Sequence, residues 1–240
     1  MKNISFESYE VMADDYAGHV DEKPWNADYE RPGTIGLVGS VEGLTILDAG
    51  CAAGWYSRKF LDMGAKSVVG VDFSPEMIAR CKKRLEGYRE DAYDFYCHDL
   101  NEKIDFLGEE CFDKVVSSLT LHYLEDWKIP MKEFHRVLKE KGELVVSVHH
   151  PFMEYLVFDR KDYFKRELIR DTWSMNGKEI EVEFYSRPLH EIINAITGNG
   201  FVVKEISEPM PTENFKRKDS YNYEKLTKRP QFLFIKAEKI

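Results

Sequence analysis

Long apolar runs are missing from this 240-residue chain, and no stretch reaches the roughly 18 residues of a membrane-spanning helix. A basic excess is missing as well: 34 Lys and Arg stand against 43 Asp and Glu, for a formal net charge of −9. Such a balance is repelled at long range by anionic polymers and anionic membrane surfaces, so neither nucleic acid nor a membrane is expected as a partner, although a local basic patch stays open. Cysteine is sparse. Cys51, Cys81, Cys97 and Cys111 form no CxxC pair, which argues against a disulfide scaffold, and no metal is expected. The opening MKNISFESYE has no apolar run of the kind a secretory signal carries. The expected setting is therefore reducing and cytoplasmic. Internal repeats and low-complexity segments are also missing. What is present is 43% hydrophobic and 13% aromatic content, enough for a real core in a single domain.

Along the chain, Tyr9, Met12, Ala13 and Tyr16 recur at helical spacing, and a second helix is expected over 29–38. From Leu44 the rhythm becomes strand–helix–strand. Strands are expected at 45–47, 67–72, 93–97, 112–119 and 143–148, with helices between them. Ser74-Pro75-Glu76 reads as a helix start, with Ser as the cap, Pro in the first turn and an acid beside the positive helix end. A helix over 131–139 is expected to stop at Gly142. Short apolar strands without a polar face indicate a mostly parallel sheet covered on both sides, an α/β, Rossmann-like, doubly wound architecture of seven strands. Residues 151–186 break this rhythm with many aromatics and charges. They read as a lid inserted after the fifth strand, or as peripheral cover for the core. A helix over 189–196 and strands at 201–207 and 231–237 follow. The connection 208–230 is too long for a tight hairpin and is expected to be mobile or functional. The expected layout is a helical cap (1–40), a ligand-binding core (41–150), the insertion (151–188) and a closing helix and strands (189–240).

The most informative stretch is Asp48-Ala49-Gly50-Cys51-Ala52-Ala53-Gly54, directly after the first strand, with Asp72 ending the second strand 18 residues beyond Gly54. Small residues at a strand-to-helix turn let a ligand approach the backbone, and an acid at that distance suits a ribose. A dinucleotide turn would require glycine where Ala52 and Trp55 stand, and Asp48 would repel a pyrophosphate. A phosphate-free cationic ligand fits better.

These residues resemble the first motif of the class I S-adenosylmethionine-dependent methyltransferases, in particular the small-molecule group called methyltransferase type 11. Four further segments carry the resemblance: Asp72-Phe73-Ser74-Pro75-Glu76-Met77, His98-Asp99-Leu100, Ser117 to Leu124, and Glu133 to Gly142. Ala52 replaces a family glycine, a mild departure if the backbone there is not at positive φ. The resemblance implies S-adenosylmethionine as cofactor, with S-adenosylhomocysteine as product. It implies that Gly50, Cys51, Ala52 and Gly54 line the methionine part, with Asp48 just before them. Asp72 would hold the ribose, Phe73 and Met77 would flank the adenine, and Asp99 and Leu100 would meet its edge. Ser117 or Ser118 would close the site, and Tyr16 would cover the donor. Tyr29 or Arg31 would touch the donor carboxylate or the acceptor, or serve only packing and surface charge. Cys51 reads as a small packing residue and not a nucleophile.

Methyl transfer from a sulfonium needs alignment first, and a base only for a protonated acceptor. His122, His149 and His150, each just past a strand end, are the candidate bases. His149 and His150 are adjacent, so only one is expected to face the site. Phe152, Tyr155 and Trp173 in the insertion are candidate acceptor contacts, suggesting a small, partly apolar organic molecule. The basic excess between Glu213 and Arg229 could attract an anionic group on it. The expected activity is methyl transfer to an O, N or C atom of a small acceptor, by a monomer or homodimer. The alternatives are a non-catalytic S-adenosylmethionine-binding sensor and a nicotinamide-dependent oxidoreductase.

Overall fold

A computed structural model describes residues 21–175 and 178–240 of the protein. The expected N-terminal helix with Tyr16 lies outside these residues. A π-helical turn (Asn26–Glu30) runs into α1 (Arg31–Val38), followed by β1 (Thr45–Ala49), α2 (Trp55–Asp62), β2 (Ser67–Asp72), α3 (Pro75–Arg84), β3 (Tyr93–Cys97) and β4 (Phe112–Ser118). After these come α4 (Lys128–Val137), β5 (Leu138–His149), α5 (Pro151–Val157), β6 (Glu167–Met175), β7 (Lys178–Ser186), α6 (Leu189–Thr197) and β8 (Phe201–Ser207). Two short helices, α7 (Glu213–Lys218) and α8 (Ser220–Leu226), precede β9 (Phe232–Lys239).

Seven strands form one sheet in the order β3-β2-β1-β4-β5-β9-β8. The first five are parallel, and β9 runs antiparallel to both β5 and β8. Strand residues alternate between two buried faces. Leu47, Val115, Leu144 and Val146 pack with Met131 and Phe134 of α4 and with Ile192 and Ile196 of α6. Ile46, Val116 and Val145 pack with Val38 of α1, Phe60 of α2 and Phe215 of α7. With both faces apolar, the strands read as continuous hydrophobic runs. The strand order reverses between β1 and β4, which opens a crevice at their carboxyl ends.

The start of α3 follows its sequence signals: Ser74 Oγ accepts from the Met77 N–H at 3.2 Å, Pro75 opens the helix, and Lys82, Lys83 and Arg84 sit at its negative end. One expectation is corrected and another is narrowed. Gly142 does not stop a helix. The helix ends at Val137, and Leu138 already pairs with Phe112. The ladder then slips, with Lys141 at φ 59°, and resumes at Lys114 opposite Glu143. The connection 208–230 is built rather than open. Thr212 caps α7, Asp219 caps α8, and Phe215 is fully buried against Trp25 and Tyr29. Helices of six and seven residues are too short to show a period in the sequence. Residues 151–186, expected to be an insertion, contain α5 and a separate β6–β7 hairpin.

Candidate active site

A cavity of about 600 Å³ lies over the carboxyl ends of the parallel strands. Its floor is the turn Gly50–Ala53 after β1. Asp72 and Phe73 come from the end of β2, His98, Asp99 and Leu100 follow β3, Ser118 ends β4 and Thr120 follows it, and His149 ends β5. The π-helical turn contributes Asn26 and Glu30, α1 contributes Arg31, and Trp173 and Phe184 stand on the insertion's hairpin.

The turn is held by protein, not left open. The N–H groups of Gly50 and Cys51 both donate to Val71 O, at 2.8 and 3.0 Å. The Ala52 N–H donates to Asp72 Oδ2 at 2.9 Å, and the Ser74 N–H donates to Asp72 Oδ1 at 3.0 Å. Asp72 therefore ties the two βα turns together at the cavity wall. Gly50 has φ 82°, and a Cβ there would lie 2.1 Å from Thr120 Oγ1, so glycine is required. Ala52 also has positive φ, 45°, contrary to the expectation that its methyl is easily accommodated. The left-handed backbone sets Cβ against the following carbonyl, a cost of about 1 kcal/mol.

Several expected site residues lie off the cavity surface. Asp48 is buried beneath the turn and accepts a 2.6 Å hydrogen bond from Ser57 Oγ. Burial pushes its carboxyl up to about 7, against the pull of Ser57 and with a push from Asp72. Gly54, just before α2, packs on Cys81, Met77 is buried on the inner face of α3, and Ser117 Oγ donates to Ala49 O at 3.0 Å. Tyr29 is buried against Phe232, and its hydroxyl accepts from the Gln231 N–H at 3.2 Å. Phe152 is half exposed and stacks on Tyr163 at 5.3 Å, and Tyr155 packs edge-on to the same ring. The residues brought together at the cavity are Gly50, Cys51, Ala52, Asp72, Phe73, Asp99, Leu100, Ser118, Arg31, Trp173, His122 and His149. Burial pushes the Cys51 thiol well up, as suits a packing residue.

The histidines separate. The buried His150 caps α5 through Nδ1, and its Nε2 lies 2.6 Å from Glu208 Oε1, off the cavity. Burial lowers its basicity more than Glu208 restores it. His122 and His149 both line the cavity and stack at 4.1 Å, with planes 16° apart. Burial, then His149 and Arg187, hold His122 well below the ordinary imidazole range.

Glu30 is a cavity residue without a sequence motif. It is 2% exposed, and four hydroxyls donate to it: Thr34 at 2.7 Å, Ser118 at 2.8 Å and Ser147 at 2.7 Å to Oε1, and Tyr56 at 2.6 Å to Oε2. The one available signal is Thr34, a helical turn beyond the acid. Nearby, Arg31 pairs with Asp21 at 2.8 Å and lies 4.2 Å over the Trp55 ring. Asp21, Glu30, Asp72, Asp99 and Asp171 outnumber Lys23 and Arg31 around the cavity. Burial also lowers the pKa of Lys23. An acidic, phosphate-repelling wall with a carboxylate at the second strand end fits a cationic nucleoside.

Residues 47–146 match the family described as a methyltransferase domain. A Listeria monocytogenes protein assigned to the S-adenosylmethionine-dependent methyltransferases superposes with a TM-score of 0.72 at 25% identity, over 88% of this chain and 96% of that one. Residues 47–146 are a class I S-adenosylmethionine-dependent methyltransferase domain. Its cofactor is S-adenosylmethionine. An uncharacterized protein of Haemophilus influenzae is 28% identical over 227 residues, covering 90% of this chain and 89% of its own length. A malonyl-[acyl-carrier protein] O-methyltransferase of Buchnera aphidicola is 32% identical over 104 residues. A tRNA U34 carboxymethyltransferase of Cellvibrio japonicus is 29% identical over 133 residues. In each of these two the match spans 39% of the enzyme's length. One of the relatives of this chain is thus named for tRNA, and the expectation drawn from net charge that nucleic acid is no partner has no support. Among the described residues no helix is long and apolar enough to cross a membrane.

Proposed function

We propose that this methyltransferase domain acts on a small, partly apolar organic acceptor bearing an O–H or N–H group. The observation that supports this reading most is the far end of the cavity. Trp173, Phe184, Tyr123 and Phe232 wall a compartment around the stacked His122 and His149. Apolar walls with a few polar groups are the usual make-up of a small-ligand site. The insertion, through α5 and the hairpin, then covers the acceptor.

At the other end, the turn Gly50–Ala53 cradles the methionine part and Asp72 accepts from the ribose hydroxyls. Phe73 and Leu100 flank the adenine, Asp99 meets its edge, and Arg31 faces the donor carboxylate. Glu30, held by four hydroxyls, gives this end the negative potential that a positive donor favours. S-adenosylmethionine, when bound, supplies an electrophilic methyl on a sulfonium. The protein's part is to hold the acceptor in line and to receive its proton.

The RNA reading has one feature in its favour, the basic Lys216, Arg217, Lys225, Lys228 and Arg229 of the 213–229 stretch. Methyl-labelled S-adenosylmethionine offered with a small-molecule extract, bulk tRNA and protein separates the readings. Label in the small-molecule fraction is expected. Label in tRNA contradicts the proposal, and tight donor binding without label in any fraction favours a non-catalytic sensor.

A further inference from the structure

Behind the stacked histidines lies a second, much smaller void of about 10 Å³, at the lower edge of what holds one water. His122, His149, Glu154 and Arg187 all line it. Four atoms of these residues are buried without a hydrogen-bond partner among the described residues: His122 Nδ1, His149 Nδ1, Glu154 Oε1 and Arg187 Nε. Buried polar groups rarely lack partners, and four around one void is a pattern. Both histidines also line the large cavity, so their rings form the partition between the two spaces.

The chemistry of the four atoms leaves one arrangement. Arg187 Nε–H can only donate, and its guanidinium is set by Leu124 O and by the Trp127 ring, 4.7 Å away. An ionised Glu154 can only accept. His149 Nδ1 lies 3.4 Å from Glu154 Oε1, too poorly aligned for a hydrogen bond but close enough to decide its protonation. A lone pair facing a carboxylate is repelled, whereas an N–H is attracted. His149 therefore carries its proton on Nδ1. One water can accept from Arg187 Nε–H and His149 Nδ1–H and donate to Glu154 Oε1 and His122 Nδ1, which satisfies all four atoms. His122 then holds its proton on Nε2.

We propose that this void binds one water that fixes the two stacked histidines in opposite tautomers, making His149 the proton acceptor, His122 a hydrogen-bond donor, and Glu154 and Arg187 the positioning residues. Glu154 lies on α5 and Arg187 follows β7, so the insertion takes part in the chemistry as well as covering the acceptor. The base role rests on the methyl-transfer reading; the tautomers do not. In that step the acceptor's O–H or N–H bond breaks as its proton passes to His149 Nε2, the freed electron pair forms the bond to the methyl carbon, and the carbon–sulfur bond breaks to release the thioether S-adenosylhomocysteine. The resulting imidazolium is offset by the Glu154 carboxylate. The other groups around the pair are Tyr185 on the void, His150 with Glu208 beyond β5, and Arg166, Glu191 and Asp126, which act on Arg187. His122 remains neutral in this scheme, consistent with its burial.

Side-chain ¹⁵N NMR of the full chain loaded with S-adenosylhomocysteine, at about pH 8.5 where an ordinary imidazole is neutral, reads the tautomers directly. Signals are assigned with His122→Asn and His149→Asn. The expected result is Nδ1–H for His149 and Nε2–H for His122. Glu154→Gln keeps an acceptor oxygen and is expected to keep the pattern, whereas Glu154→Ala shifts the His149 tautomer ratio by about tenfold or more. With an acceptor in hand, Glu154→Ala is expected to lower kcat about a hundredfold at nearly constant KM. The same tautomer on both histidines, the reverse pattern, or an unmoved His149 in Glu154→Ala overturns the proposal. Should Glu154→Ala fail to fold, the wild-type spectrum alone decides. Correct tautomers with undiminished turnover in Glu154→Ala overturn the positioning role, whatever the acceptor.

Discussion

At the proposed donor end of the cavity, Asp72 takes the N–H groups of Ala52 and Ser74, and the turn it braces comes from residues within 25 positions of one another. At the proposed acceptor end, His122, His149, Glu154 and Arg187 arrive from a turn after β4, the end of β5, helix α5 and the segment after β7. The turn of the first is built by backbone, and Asp72 and Val71 satisfy its N–H groups. The second is built by side chains meeting across the fold, and four of its buried polar atoms have no hydrogen-bond partner among the described residues. A ligand shared across a family is served by the first kind of construction, and a ligand particular to one member by the second.

The comparison can be broken by asking which acid at the donor end serves the ligand. Asp48 lies under the turn with its carboxyl raised to about 7. The unfolded chain loses that proton near the ordinary value of 3.8 and the folded chain only near 7. Between these values the folded state binds more protons, so stability falls as pH rises through the window and is level above it. Asp48→Asn keeps an acceptor for Ser57 and removes the slope. At pH 8 the variant is expected to exceed the wild type by up to about 4 kcal/mol in urea unfolding, with little difference at pH 4 and donor binding retained. Asp72→Ala is expected to do the reverse. S-adenosylhomocysteine affinity falls by about 3 kcal/mol, the value of two charge-assisted hydrogen bonds, as read by calorimetry.

Two smaller effects sharpen the account. Glu30→Gln sets an amide N–H₂ among hydroxyls that all need an acceptor, and it is expected to lower unfolding stability by about 2 kcal/mol. Ala52→Gly relieves about 1 kcal/mol of left-handed strain at φ 45° and gives back about half of it as added chain entropy, so it is expected to raise stability by about 0.5 kcal/mol in the same assay. A destabilised Ala52→Gly would show that the methyl packs well enough to outweigh the strain.

The contrast also explains what could be read from residues alone. The turn, Asp72 and the order of strands were legible because local spacing encodes them. The same spacing put Asp48 at the ligand although it lies beneath the turn, and left Ser117 and Ser118 as alternatives, of which Ser118 lines the cavity, since a strand turns alternate side chains to opposite sides and a motif does not say which. Ala52 was misjudged because its φ depends on the Asp72 and Val71 contacts that shape the turn. Glu154 had no signal and Glu30 only the nearby Thr34, for their other partners lie on distant elements, up to 117 positions away in the case of Ser147. His149 and His150 were expected to diverge, and they do, since successive residues at the end of β5 point to opposite sides.

The central claim is that the turn after β1 and Asp72 form a donor site for a phosphate-free cationic nucleoside. Calorimetric titration of the wild-type chain with S-adenosylhomocysteine and, separately, with a nicotinamide dinucleotide tests it most directly. The account predicts one-to-one binding of S-adenosylhomocysteine, weakened about a hundredfold by Asp72→Ala, and no binding of the dinucleotide. Dinucleotide binding without S-adenosylhomocysteine binding would contradict it.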